Sequence, residues 1–159
     1  MAWPDLAKSC MASCLARILY LNCAIIILMN TLNKPIDIRI DQKGFVAMTF
    51  TDNLTAENLQ AFKAGLEVGA NIIRQFSEKQ NKKIKVLVDL NAFSGEYDVN
   101  ALEAFARFVA GNKSFVEKSA TWGGSDKAKA AGEISKALAN RNNIALFDTK
   151  EKASEWLGI

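Results

Sequence analysis

In the stretch Lys82 to Gly95, KKIKVLVDLNAFSG, a β-branched run ends in Asp89 and passes at once into a polar turn carrying Ser94 and Gly95. A buried parallel strand delivers a loop to the rim of an α/β sheet in this way, and ligands and regulators act at that rim. Ser94 is a candidate regulatory or ligand contact, because a phosphate on its hydroxyl brings roughly two negative charges to the loop. The same pair also reads as a plain turn in which serine caps and glycine bends the chain. Asp89 is a candidate acid at a strand end. No second acid is spaced to pair with it, and an aspartate in that place also serves to bind loop amides. A second candidate is Gly123-Gly124-Ser125, ahead of a helix whose free N–H groups can hold a phosphate or carboxylate. The triplet has neither the full phosphate-loop nor the dinucleotide spacing, so it also reads as the ordinary start of a helix.

Composition narrows the chemistry. The chain has no histidine, which removes histidine general bases, Ser-His-Asp triads and the commonest metal ligand. Its three cysteines, Cys10, Cys14 and Cys23, all precede Asn30, so the remainder holds neither a disulfide nor a cysteine zinc site. No cofactor, no metal and no enzyme activity are expected, since no nucleophile–base pair can be named. The net charge of +3 requires no polyanionic partner. Lys79, Lys82, Lys83 and Lys85 form a basic cluster without interleaved aromatics, which fits a solvated helix end rather than nucleic-acid binding.

Residues 1–34 differ from the rest. Leu15 to Met29 is nearly all apolar, broken only by Ala16-Arg17 and Asn22, and Lys8 and Arg17 precede its most apolar part in the manner of a signal peptide. No small-x-small cleavage site follows, and the run is shorter than the roughly 20 residues of a spanning helix. Three readings stand: an uncleaved membrane anchor through residues 15–29, a poorly working signal, or translation of codons upstream of a start at Met29. The protein is accordingly expected to be cytoplasmic, or membrane-associated if the segment is real.

From Pro35 the elements can be laid out in order. Ile36, Ile38 and Ile40 alternate with polar residues and predict a half-buried strand. A turn at Asp41 to Gly44 leads to an antiparallel return strand, Phe45 to Thr51. Thr55 is expected to cap a long helix with Leu59, Phe62, Leu66, Ile73 and Phe76 inward. Gly65, Gly69 and Ala70 allow that helix to sit close to a neighbour, and it is expected to fray into Glu78 to Asn81. The central strand Ile84 to Leu90 follows, then the Ser94 loop. Next comes a helix from Val99 to Val109 with Leu102, Phe105, Ala106 and Val109 inward, ended by Gly111-Asn112. A strand from Val116 to Trp122 runs into the glycine pair. A helix then reaches about Asn140 with Ala131, Ile134 and Leu138 inward. The strand Ile144 to Phe147 is followed by Asp148 and Glu151, spaced as a capping box for a last helix pinned by Ala153, Trp156 and Leu157. Trp122 and Trp156 read as packing residues. A hairpin followed by alternating helices and strands implies an α/β domain over 35–159, with a mainly parallel sheet of four to five strands and about four helices.

VLVDLNAFSG in the middle, a strand running into GGS, and the ending NIALFDTKEKASEWL together resemble the SpoIIAA-like branch of the STAS domains (sulfate transporter and anti-sigma antagonist). Members of this branch are compared in fold with CRAL-TRIO lipid-transfer proteins. The resemblance implies a small regulatory or ligand-binding domain. In the antagonists the loop after the central strand carries a phosphorylatable serine at a helix start, and the matching position here is Ser94. The antagonists have an Asp-Ser-Ser-Gly type motif where this chain has Ala92-Phe93-Ser94-Gly95, a departure that bears on phosphorylation by a partner kinase. Two functions therefore stay open. One is a non-enzymatic regulatory domain that binds a protein partner, switched at Ser94 or by a small ligand. The other is a carrier or sensor of a lipid or other small apolar ligand, which calls for a cavity lined by Phe62, Leu66, Phe105 and Val109.

Overall fold

The computed structural model describes residues Lys34–Ile159. The apolar segment 15–29 and the three cysteines lie outside the described residues, and no described helix is long and apolar enough to cross a membrane.

Strand β1 (Ile36–Ile40) pairs antiparallel with β2 (Val46–Phe50). The turn between them closes through Asp41 N–H to the Phe45 carbonyl, with Gly44 at φ 83°. Helix α1 (Leu59–Gln80), β3 (Ile84–Asp89), α2 (Val99–Gly111), β4 (Val116–Trp122), α3 (Asp126–Leu138), β5 (Ile144–Phe147) and α4 (Lys150–Leu157) follow. The five strands lie in sequential order, β1-β2-β3-β4-β5, and every pair after the hairpin is parallel. Right-handed crossovers in a sheet that grows in one direction put successive helices on the same face. The core agrees. Phe62, Leu66, Leu102, Ala128 and Ala131 from α1, α2 and α3 share one cluster with Val86 and Val88. Ala153 and Leu157 from α4 pack on the other face, against Phe45, Leu87 and Ala120. Strand β3 is thus buried on both sides, which explains the consecutive apolar residues Val86, Leu87 and Val88.

The predicted face of α1 is observed, with Phe62, Leu66, Gly69, Ile73 and Phe76 buried. Its glycines serve the β1 contact. A Cβ on Gly65 would meet Ile36 Cγ2 at 2.8 Å, and one on Gly69 would run into Ile38 Cδ1. Burial along β1 therefore fades from Ile36 to Ile40, which is 48% exposed, so the alternating strand is half-buried only at its start.

Five local readings are corrected. Thr55 does not cap α1. The helix starts after Asn58, and residues 56–58 form a turn between the Leu54–Tyr97 bridge and its first turn. The C-terminal end of α1 does not fray, but runs to Gln80 and closes on Asn81 in the left-handed conformation at φ 48°. Helix α3 turns Ala128, Ala131 and Ser135 inward and leaves Ile134 and Leu138 exposed. It lies close to β5, where a Cβ on Gly132 would meet Leu146 at an ordinary contact distance of 3.4 Å. The capping box at Asp148 is displaced by one residue: Thr149 caps α4, accepting from Lys152 N–H, while the Asp148 carboxylate goes to Lys129 Nζ at 2.7 Å. Trp156 lies at the rim rather than in the core, with Lys118 Nζ 4.9 Å over its ring and Phe147 beside it.

The Lys129–Asp148 pair joins α3 to the end of β5. The hydrogen bond between them lowers the Asp148 carboxyl below its ordinary 3.8 and raises Lys129 above its ordinary 10.5. A depressed acid contributes fully above its unfolded value, and a raised base fully below its own. The contribution is therefore constant across the neutral range and falls away only at the two extremes. The pair is exposed, so that contribution is small.

Candidate functional site: three loops at one end of the sheet

Parallel strands deliver their following loops to the same end of the sheet. The loops after β2, β3 and β4 meet there and interlock. Asp89, last in β3, accepts from Asn91 N–H at 2.9 Å and from the Asn91 side-chain amide at 2.7 Å. It therefore binds loop amides, the second of the two readings of its sequence position. The Asn91 side chain in turn occupies the space above Gly123, where a Cβ would lie 2.5 Å from its Oδ1.

Phe93 is buried and reaches the aromatic core, its ring 5.6 Å from Phe50. This anchor turns the next residue outward, and Ser94 is exposed. Ser94 donates twice to one acceptor: its backbone N–H and its hydroxyl each lie 2.9 Å from Asn53 Oδ1. Its carbonyl accepts from the Ser125 hydroxyl. That same hydroxyl oxygen accepts from Ala128 N–H at 3.2 Å and so caps α3. Gly95 follows with φ 96° and presses against the first turn of α3, where a Cβ would sit 2.5 Å from Ala128 N.

Ser94 does not stand at the start of α2. That helix begins at Val99 and is capped by Asp98, which accepts from Asn100 N–H at 2.8 Å. Nor does Ser94 cap a helix itself. It is tied to the start of α3 through Ser125. The structure thus joins Ser94-Gly95 and Gly123-Gly124-Ser125 in one cluster, and places Asp89 beneath it through Asn91. Sequence reasoning missed Asn53, the residue that holds Ser94, although Asp52-Asn53 directly after a strand is a turn signal. The partner of the Ser94 hydroxyl is an amide oxygen, which cannot take its proton as a base would.

A five-stranded sheet in sequential order, opened by a hairpin and carrying an exposed serine in the loop after its central strand, defines a STAS-type α/β domain. The family model described as SpoIIAA-like matches residues 45–158. The chain belongs to that family. No curated protein matches it.

Proposed function

We propose that this chain is a non-catalytic regulatory domain that binds a protein partner through the Asn53–Ser94–Ser125 loop cluster, with the Ser94 hydroxyl as its switch. The family supports the regulatory, protein-binding class. The observation that carries the switch is the double bond of exposed Ser94 to Asn53 Oδ1. A phosphate on Oγ removes the hydroxyl donor and sets negative charge against an amide oxygen, so it frees one loop from another. Tyr97 and Val99 lie just beyond, 36% and 74% exposed, and offer a partner apolar contact beside the switch.

A photocrosslinking residue at Val99, with one at exposed Val68 on α1 as control, tests this in the cells of origin. A discrete crosslink is expected from position 99 and not from 68, and it is expected to disappear in Ser94→Asp. No crosslink from 99, or one indifferent to Ser94→Asp, would end the proposal. Ser94→Ala keeps the backbone bond and is expected to lose only about 1 kcal/mol in urea unfolding.

A carrier of long-chain lipid has less support. The pocket beneath α3 measures about 70 Å³, against roughly 300–1,000 Å³ for ligand pockets in general. Phe105 and Val109 line it, as expected for a carrier, but Phe62 and Leu66 do not. The larger groove of about 500 Å³ between α1 and α2 is open and lined by Lys63, Glu67, Glu103 and Arg107 beside Leu66. Phe62 is spent on core packing, and Leu66 on the core and the floor of the charged groove.

A further inference from the structure

The small cavity has an unusual wall. Its apolar side is made by Val86, Val88, Phe105 and Val109. The inner face of α3 bounds it with Ala128, Ala131, Gly132 and Ser135, which leave the space under the helix unfilled. Arg141, in the loop between α3 and β5, also lines it and is 3% exposed. Its Nε donates to Asn143 Oδ1 at 2.9 Å and its Nη1 to the Val109 carbonyl at 3.3 Å. Its Nη2 is buried and has no partner among the described residues. Both groups that hold Arg141 are neutral, and no described acidic side chain pairs with it. The other cation on the wall, Lys136, is held by Glu133 from outside the cavity.

A guanidinium stays charged even where burial pushes its pKa down, as it does here. A buried charge with no counter-ion is strongly unfavourable and is retained where something compensates it. We infer that the cavity beneath α3 binds a small monocarboxylate with a short apolar body, its carboxylate paired with the Arg141 guanidinium and its body lying against Phe105, Val109 and Val86. A planar carboxylate matches the guanidinium fork, and the absence of any acidic lining residue leaves the charge free for it. The volume is several times the roughly 10–15 Å³ that one water needs, and it sets the size class at a few carbons. This site is separate from the Ser94 loops, and its test does not depend on them.

The test uses the full chain and thermal unfolding, with calorimetric titration, at constant ionic strength. Butyrate, hexanoate and benzoate are the probes, while 1-butanol, butylamine and inorganic phosphate are the comparisons. At least one carboxylate is expected to raise Tm saturably with a Kd of about 1 mM or below, and each comparison to bind at least about tenfold more weakly. Arg141→Met is expected to lower carboxylate affinity at least about tenfold while leaving the unliganded Tm no lower than the parent's. Ala131→Leu keeps Arg141 but fills the space, and is expected to abolish binding; it carries the test if Arg141→Met does not fold. No carboxylate binding to the parent, phosphate or alcohol binding as tightly as carboxylate, or undiminished binding in the folded variants would each overturn the assignment.

Discussion

Gly95→Ala is expected to destabilise the protein by about 3 kcal/mol or more, far beyond an ordinary glycine replacement. Two independent penalties coincide at this position. The backbone is at φ 96°, where an L side chain is strained. The new Cβ would also lie 2.5 Å from Ala128 N and 2.6 Å from the Lys127 carbonyl carbon, which are backbone atoms of a capped helix and cannot swing aside. Neither partner of the contact is free to retreat. Phe93 holds the loop in the core, and the Ser94–Ser125 bond holds it against α3. Gly44→Ala isolates the first penalty, because Gly44 has φ 83° with nothing within 4 Å of its would-be Cβ. It is expected to lose only about 1 kcal/mol. Urea unfolding of the two variants decides the matter, provided the slope with denaturant is unchanged. Equal losses would mean that the loop yields and that the close approach to α3 has no energetic weight.

Phe62→Ala is the second large expectation, at about 3–5 kcal/mol. Phe62 is fully buried on α1 and packs beside the rings of Phe50 on β2 and Phe105 on α2, at centroid distances of 6.1 and 6.4 Å. Truncation removes the contact that joins three elements and leaves a void that a helix–sheet interface cannot close. A domain of this size has about 5–15 kcal/mol in all, so the variant is expected near the limit of folding. Phe62→Leu, which retains most of the volume, is expected to lose about 1–1.5 kcal/mol. Equilibrium unfolding followed by circular dichroism is the measurement. A loss under about 1.5 kcal/mol for alanine would show that the aromatic cluster repacks.

The elements were legible because their signals are local. Alternating isoleucines, the inward stripe of α1 and the strand–helix alternation are periodicities, and periodicity survives folding. Readings failed where the local signal was weak or misleading, or where a tertiary partner outbid it. At the start of α1 the chain makes a turn over residues 56–58 before the helix begins after Asn58, with no side-chain cap to mark it. Asp148 lost its capping role to a lysine on another helix. The inner face of α3 is its small residues, Ala128, Ala131 and Ser135, so the stripe of larger residues at Ile134 and Leu138 pointed the wrong way. The candidate site was legible in its pieces, Ser94-Gly95 and Gly123-Gly124-Ser125, but not in their union. The tie through Asn53 spans 41 residues and has no sequence period. Arg141 was illegible altogether. In sequence it is one more cation in a polar loop, and only the surrounding packing makes it a buried charge.

The first strand carries a lesson about where this domain begins. The family match starts at Phe45, yet β1 lies before it and fits the groove that Gly65 and Gly69 open along α1. A chain cut at that limit would bare both the hydrogen-bonding side of β2 and an apolar trough shaped for two isoleucines. Such a surface captures stray strands, including those of its own copies, and invites strand exchange and aggregation. β1 therefore covers the edge of β2 and the trough on α1, and it is supplied by a part of the sequence that the family pattern does not cover.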